Sequence, residues 1–377
     1  MAIYWYISIF ISALAIVEII ISDQEKTKGI RLYLFWVAVF ILFTFGGIRG
    51  LGSGLDDSQY RDFYDVFMQK IPIEGFMQTL QDFRYEPMIY IIAGAVRIFT
   101  KNADIFMYVF CMIAVSVNAW YFRRLSPLPL VSLALYSAHL FINKDMNQIR
   151  FGLSSAFFLG FLYHLTQKNR AGMIRLFILS FISHATAIVA ILVPLALIVK
   201  KNKYIPAIIV LASIPMAFIG SQSLIALLSS HIGSLGERAM GYANQDSLQE
   251  QGIFTLSNLK NIIFVFIFSA LLLNDKVKNA SPEKFTFFYI MVIAFAIGSG
   301  LRLALQDYAS GGRLANYLLQ IEPVLIAACI YQTRQIIKVA AVAVTLLMVL
   351  YYLYYNTISS KQSITGYTVS QTFKLFK

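Results

Sequence analysis

The segment Leu176–Val199 reads LFILSFISHATAIVAILVPLALIV, 24 residues whose one ionisable side chain is His184. About 20 apolar residues carry a helix through the hydrocarbon of a bilayer, so a run of this length belongs in a membrane. Bases flank it on both sides: Lys168, Arg170 and Arg175 before it, Lys200, Lys201 and Lys203 after it. Lys and Arg collect in the loops on one side of a membrane protein. A segment basic at both ends therefore enters and returns on that side, as two short helices meeting near Ser183-His184. Non-helical backbone at membrane depth is tolerated only where protein buries it or a wet cavity meets it, so the break implies a cavity.

The rest of the chain has the same character. Of 377 residues, 58% are apolar and 13% charged, with mean hydropathy +0.68. Soluble domains carry about 25% charged residues. This excludes a soluble enzyme, a disordered chain and a secreted disulfide scaffold. Apolar runs recur at Ile3–Ile21, Leu32–Ile48, Ile105–Phe122, Leu128–Ile142, Phe151–Leu165, Ile205–Leu228, Ile262–Leu273, Phe285–Leu301, Leu314–Tyr331 and Val339–Tyr355. Ile3–Ile21 has neither a basic region before it nor a small-residue cleavage site after it, and reads as a retained first span. Pro87–Phe99 is too short to cross and contains Arg97. Cys111 and Cys329 fall inside apolar runs and read as small core hydrophobes. The expected fold is an all-α polytopic membrane protein: about ten full transmembrane helices and two half-crossing elements, in a single integral membrane domain over residues 1–377.

Charge sets the orientation. The net charge is +12. Six short connections hold 16 of the 31 bases and four of the 19 acids, and the remainder of the chain is balanced. Those connections contain Lys26/Lys28/Arg31, Arg123/Arg124, Lys168/Arg170/Arg175, Lys200/Lys201/Lys203, Lys276/Lys278/Lys284 and Arg334/Lys338, and they are assigned to the cytoplasm. No nucleic-acid partner is needed to account for the charge. If Pro87–Phe99 dips in and returns, every basic connection lands inside. Residues 49–86 then form a long outer loop, in which Phe63, Val66, Phe67 and Ile71 suit an amphipathic helix at the membrane interface. Residues 302–313 form a second outer loop, and both ends of the sequence lie outside.

The outer side collects the chemistry. Arg49, Arg150, Arg302 and Arg313 stand where apolar runs meet outer loops. Each alone reads equally as a snorkelling side chain. As a set they oppose the orientation signal, which calls for an anion, and guanidinium binds phosphate through a planar fork. A lipid diphosphate is such an anion. Asp56-Asp57 offers a helix N-cap, a general base for a sugar hydroxyl, or a divalent-metal ligand. His184 is either a satisfied core histidine or, at the break, a proton acceptor. No His/Cys cluster points to zinc, no phosphate-binding glycine motif points to nucleotide hydrolysis, and no cofactor is expected.

Five elements, in order, resemble those of the EpsG family, which belongs with the Wzy-type polymerases of bacterial exopolysaccharide, capsule and O-antigen. They are Arg49 with Gly54-Leu55-Asp56-Asp57-Ser58-Gln59-Tyr60; Glu86-Pro87; Ile149-Arg150 with Leu153 and Ala156; Ser183-His184-Ala185-Thr186-Ala187; and Arg313-Leu314-Ala315-Asn316-Tyr317. Phe151 stands where that family often has Gln. The resemblance implies an architecture related to C-type glycosyltransferases and a multi-pass protein of the bacterial inner (cytoplasmic) membrane. It also implies undecaprenyl-diphosphate-linked oligosaccharide as both donor and acceptor, with a flippase and a chain-length regulator as partners. On it, Arg150 and Arg313 hold the diphosphate, with Arg302 in reserve. Asp56 or His184 takes the acceptor proton without metal. Arg49, Asp57, Tyr60, Arg84, Glu86 and Tyr317 order the loops or bind sugar.

Three other readings fit parts of the same pattern. A lipid-glycan flippase fits the spans and cavity, although its interrupted helices would be expected in matching halves. A metal-dependent transferase of lipid-phosphate sugars would use Asp56-Asp57 as ligands. An O-antigen ligase would differ in its glycan acceptor.

Overall fold

The computed structural model describes residues 2–22, 24–75, 77–79, 85–199, 201–219, 254–274, 277, 281–306, 309–333, 335–359 and 366–374. Arg84, Lys200, Lys276, Lys278, Asp307, Arg334 and the end of the Ile205–Leu228 run lie outside the described residues. Within them the chain is helical, and a single antiparallel bridge, between Arg49 and Val369, is its one β feature. Among the described residues, seven helical stretches are long and apolar enough to cross a membrane, and four shorter apolar helices accompany them. The protein is an all-α polytopic membrane protein.

The chain forms two compact units. The first comprises Met1–Tyr163, Ile174–Ala185 and Ile326–Lys377; the second comprises His164–Met173 and Thr186–Leu325. The helices are α1 Ala2–Ile21, α2 Lys28–Gly47, α3 Asp57–Glu74, α4 Pro87–Arg97, α5 Ala103–Leu125, α6 Pro129–Ala138, α7 Ile149–Thr166 and α8 Arg170–Ser183. They continue as α9 Leu192–Ala196, α10 Ile205–Ile219, α11 Leu256–Leu273, α12 Pro282–Ala304, α13 Ala309–Leu318, α14 Glu322–Gln332 and α15 Gln335–Tyr354.

In the first unit, α3 presents Tyr60, Phe63, Tyr64, Phe67 and Met68 to Met88–Val96 of α4, to Phe106 and Phe110 of α5, and to Ile149 and Leu153 of α7. The amphipathic helix expected at the lipid interface is present, but protein covers its apolar side. Phe63 and Phe67 are fully buried, because α4, α5 and α7 pack over them. α4 does not separate its flanks. On its N-terminal side Tyr85 sits 6.2 Å from the Tyr60 ring. On its C-terminal side Tyr64 donates to the Thr100 carbonyl at 2.7 Å, and Arg61 pairs with Asp104. Tyr60, Arg61 and Tyr64 lie within about one turn of α3, so the chain leaves and returns at one end of the unit.

The opposite end is marked by Glu18, near the end of α1. Its Oε2 accepts the Leu130 and Val131 N–H groups at 2.8 and 3.2 Å, satisfying orphan donors in the first turn of α6. Arg124, at the end of α5, lies 3.7 Å over Trp120 and 5.8 Å from the Tyr163 ring near the end of α7. The basic connections after α1 and α5 thus share one end of the unit, and the Arg49 loop occupies the other.

The Leu176–Val199 run breaks where its sequence predicts. α8 stops at Ser183, a 3-10 turn covers Ala185–Ile191, and α9 follows. The Ser183 hydroxyl bonds back to the Leu179 carbonyl, and the Ala185 N–H turns to Glu86 Oε1 at 3.3 Å, away from the helical ladder.

In the second unit α12 is the core helix, buried on every side from Phe288 to Gly300. It starts in order because Ser281 caps the Lys284 N–H at 3.1 Å and Pro282 occupies the first helical position. Thr255 caps α11 in the same way, at 3.3 Å from Asn258 N.

Candidate active site

The site in the first unit begins with a buried ion pair. Arg49 and Asp57 are both 0% exposed, with Arg49 Nε 2.9 Å from Asp57 Oδ1. Asp57 Oδ2 accepts the Gly54 N–H at 2.7 Å, and Arg49 Nη1 donates to the Gly46 carbonyl at 2.6 Å. Burial lowers the Arg49 pKa, but Asp57, Cys111 and Tyr4 together outweigh it, and the guanidinium ends above its ordinary value. Both Asp57 oxygens are thereby engaged. Asp56 stands at the N-cap position of α3, half-buried, and its side chain does not bond the helix end. The loop between them leans on the turn before α7: Leu55 N–H donates to Asn147 Oδ1 at 2.9 Å. At position 54 only glycine fits, because a Cβ would drive into the Met146 carbonyl oxygen.

Arg150, in the first turn of α7, pairs with Glu86 just before α4. Its guanidinium lies 4.3 Å over the Tyr85 ring and 5.9 Å from that of Tyr60. Arg150 Nε is buried with no partner among the described residues. Tyr60 is 4% exposed, and burial, opposed by Arg150, pushes its phenol up to about 12, so it stays a neutral hydroxyl. His184 follows the end of α8, with its ring 5.4 Å edge-on to Phe151. Through Glu86, which meets both Arg150 and the Ala185 N–H, the structure joins the second, third and fourth elements of the sequence pattern. The Asn147 contact joins the first.

Arg302, Arg313 and Tyr317 belong to the second unit. Arg302 Nε donates to Asn258 Oδ1 at 3.2 Å, and its Nη1 to Asn316 Oδ1 at 3.0 Å. Lys260, one half-turn from Asn258, pairs with Glu322 at 2.6 Å. Arg313 is exposed on α13, and Tyr317 is fully buried.

Sequence reasoning missed several partners. Tyr85 escapes notice because no spacing marks an aromatic beside Glu86. Lys144 and Asp145 are buried next to α7. Burial pushes the lysine down and the aspartate up, each to about 7, and Asp145 Oδ2 accepts the Tyr136 hydroxyl at 2.7 Å. Such a pair after an apolar run reads in sequence as an ordinary loop. Asp104 and the segment Tyr367–Thr372 were also passed over. The hydroxyls at 368, 370 and 372, two residues apart, were the available signal.

The EpsG family model matches residues 32–369. The amylovoran biosynthesis protein AmsC of Erwinia amylovora is 38% identical over 380 residues, covering 100% of both chains. No solved structure matches. With four of the five sequence elements meeting in the first unit, and the family match running over most of its length, the chain belongs to the EpsG family.

Proposed function

We propose that the protein is a polymerase of a surface polysaccharide. It joins undecaprenyl-diphosphate-linked repeat units at the outer face of the bacterial inner membrane, without metal. The observation that supports this reading best is the convergence of Tyr60, Glu86, Arg150 and His184 beside the Arg49–Asp57 loop. The relative's part in amylovoran biosynthesis points the same way. A flippase and a chain-length regulator act with it.

The acceptor sugar hydroxyl attacks the anomeric carbon of the donor. The bond from that carbon to the diphosphate oxygen breaks, and undecaprenyl diphosphate leaves with the electron pair. Asp56, or His184, takes the hydroxyl proton. Lipid diphosphate is a good leaving group, so catalysis consists of positioning and charge stabilisation. Arg150 meets the leaving diphosphate while Glu86 fixes its fork, and Tyr60 donates a neutral hydroxyl. Arg302 and Arg313 are the second unit's cations for the same kind of anion.

Purified protein in lipid discs, given lipid-linked repeats, should yield a ladder of lengthened glycans and free undecaprenyl diphosphate. A strain lacking the protein should carry single repeats. A strain with no surface glycan at all would favour the flippase.

A further inference from the structure

We infer that the segment Tyr367–Thr372 is a positioning element of the site, which clamps the Arg49–Asp57 loop through Asp104 and Arg61. This rests on the functional reading above only where it concerns rate.

The clamp has a backbone part and a side-chain part. Gly50 N–H donates to the Thr368 carbonyl at 2.7 Å, and Ser370 N–H to the Ile48 carbonyl at 3.0 Å, so the segment pairs on either side of Arg49. Position 50 must be small, because a Cβ would lie 2.5 Å from Thr368 Oγ1. Thr368 N–H donates to the Ser53 hydroxyl at 3.1 Å. Tyr367 stacks on Phe45 with ring centres 4.4 Å apart and donates to the Phe45 carbonyl at 2.7 Å. The side-chain part runs through Asp104. Its carboxylate accepts the hydroxyls of Ser370 and of Thr372, the latter at 2.5 Å, and pairs with Arg61. Arg61 Nη2 in turn donates to the Arg49 carbonyl at 2.9 Å.

Residues 50–55 have no helix or strand of their own to fix them, yet they lead directly into Asp56. This segment holds the loop from one side, and Asn147 and the Tyr4 hydroxyl, which donates to the Ser53 carbonyl at 3.4 Å, hold it from elsewhere. A proton acceptor must sit within hydrogen-bond reach of its hydroxyl, so slack in the loop acts on the chemical step more than on substrate binding.

The test uses the full chain with Ser370→Ala and Thr372→Val together, against Ser370→Thr with Thr372→Ser as the conservative pair. Polymerisation is followed against lipid-linked repeat concentration, and amide exchange is read on peptides covering residues 48–57. The first pair should lower kcat about tenfold or more while KM holds within about twofold, as expected for misplacement of a catalytic group. Exchange should quicken at 48–57, and the conservative pair should restore both. Unchanged exchange at 48–57, or a loss of activity that only follows the loss of folded protein, would overturn the inference. If the wild-type protein makes no polymer, the functional reading fails, and exchange alone decides the clamp.

Discussion

At the residue scale, adjacent carboxylates have opposite fates. Asp56 and Asp57 stand together in sequence as base, cap or metal ligands, and nothing in their order says which is buried. Neighbouring helical positions point about 100° apart, and that rotation puts Asp57 on Arg49. Removing one partner of a buried pair costs about 3–5 kcal/mol. Asp57→Ala should therefore lower the thermal midpoint sharply, seen in detergent by loss of folded protein on heating. Asp56→Asn should leave the midpoint near wild type and abolish polymer, with or without added Mn²⁺. Wild-type polymerisation should continue in excess EDTA; loss in chelator, restored by Mn²⁺, would favour the metal-dependent transferase. Arg150→Ala and Arg313→Ala should each cut the rate by about 10²–10³, the size seen for one lost charge-stabilising donor. Arg150→Lys should recover only part, because an ammonium lacks the fork that engages Glu86. Full recovery by Lys would reduce Arg150 to generic positive charge.

At the element scale, the short segments were the informative ones. Parity of the basic connections required Pro87–Phe99 and Leu176–Val199 not to cross as single straight helices. The structure ends α4 after 11 residues and α8 at Ser183. What the sequence could not supply was the partner across the break. Glu86 claims the Ala185 N–H from 99 positions away, and no local pattern carries a contact of that range. The same limit hid the cover over α3, whose apolar side looks identical whether lipid or α4 lies on it. A cysteine at Lys101, beyond α4, should label from the same side of the membrane as one at Ser58, before it. A cysteine at Arg123, at the far end of α5, should label from the other side. Labelling of positions 58 and 101 from opposite sides would make α4 a full span and invert the assignment of α5.

At the scale of the whole molecule, charge and fold tell one story with two independent beginnings. The sequence assigns its entire net charge to six connections. The first unit, known from contacts alone, puts Arg123 and Arg124 at the end marked by Glu18, away from the loop that holds Arg49. The segment at Tyr367–Thr372 lies with that loop. This part was illegible because a single bridge and three hydroxyls carry no hydropathy signal, and only α15 delivers them there. Segregation of charge says which end is which. Lys and Arg resist translocation, so we propose that the Arg124 end is cytoplasmic and that the site faces out. In intact spheroplasts, an impermeant thiol reagent should therefore reach cysteines at Ser58 and Gln371 and miss one at Arg123 until lysis. The two native cysteines lie within apolar helices, Cys111 buried and Cys329 partly so, and a Cys111→Ser, Cys329→Ser background removes their contribution. Labelling at Arg123 in intact cells, with Ser58 and Gln371 silent, would turn the site to the cytoplasm. A lipid-linked donor would then have to be used before it crosses the membrane, and the proposed polymerase would be untenable.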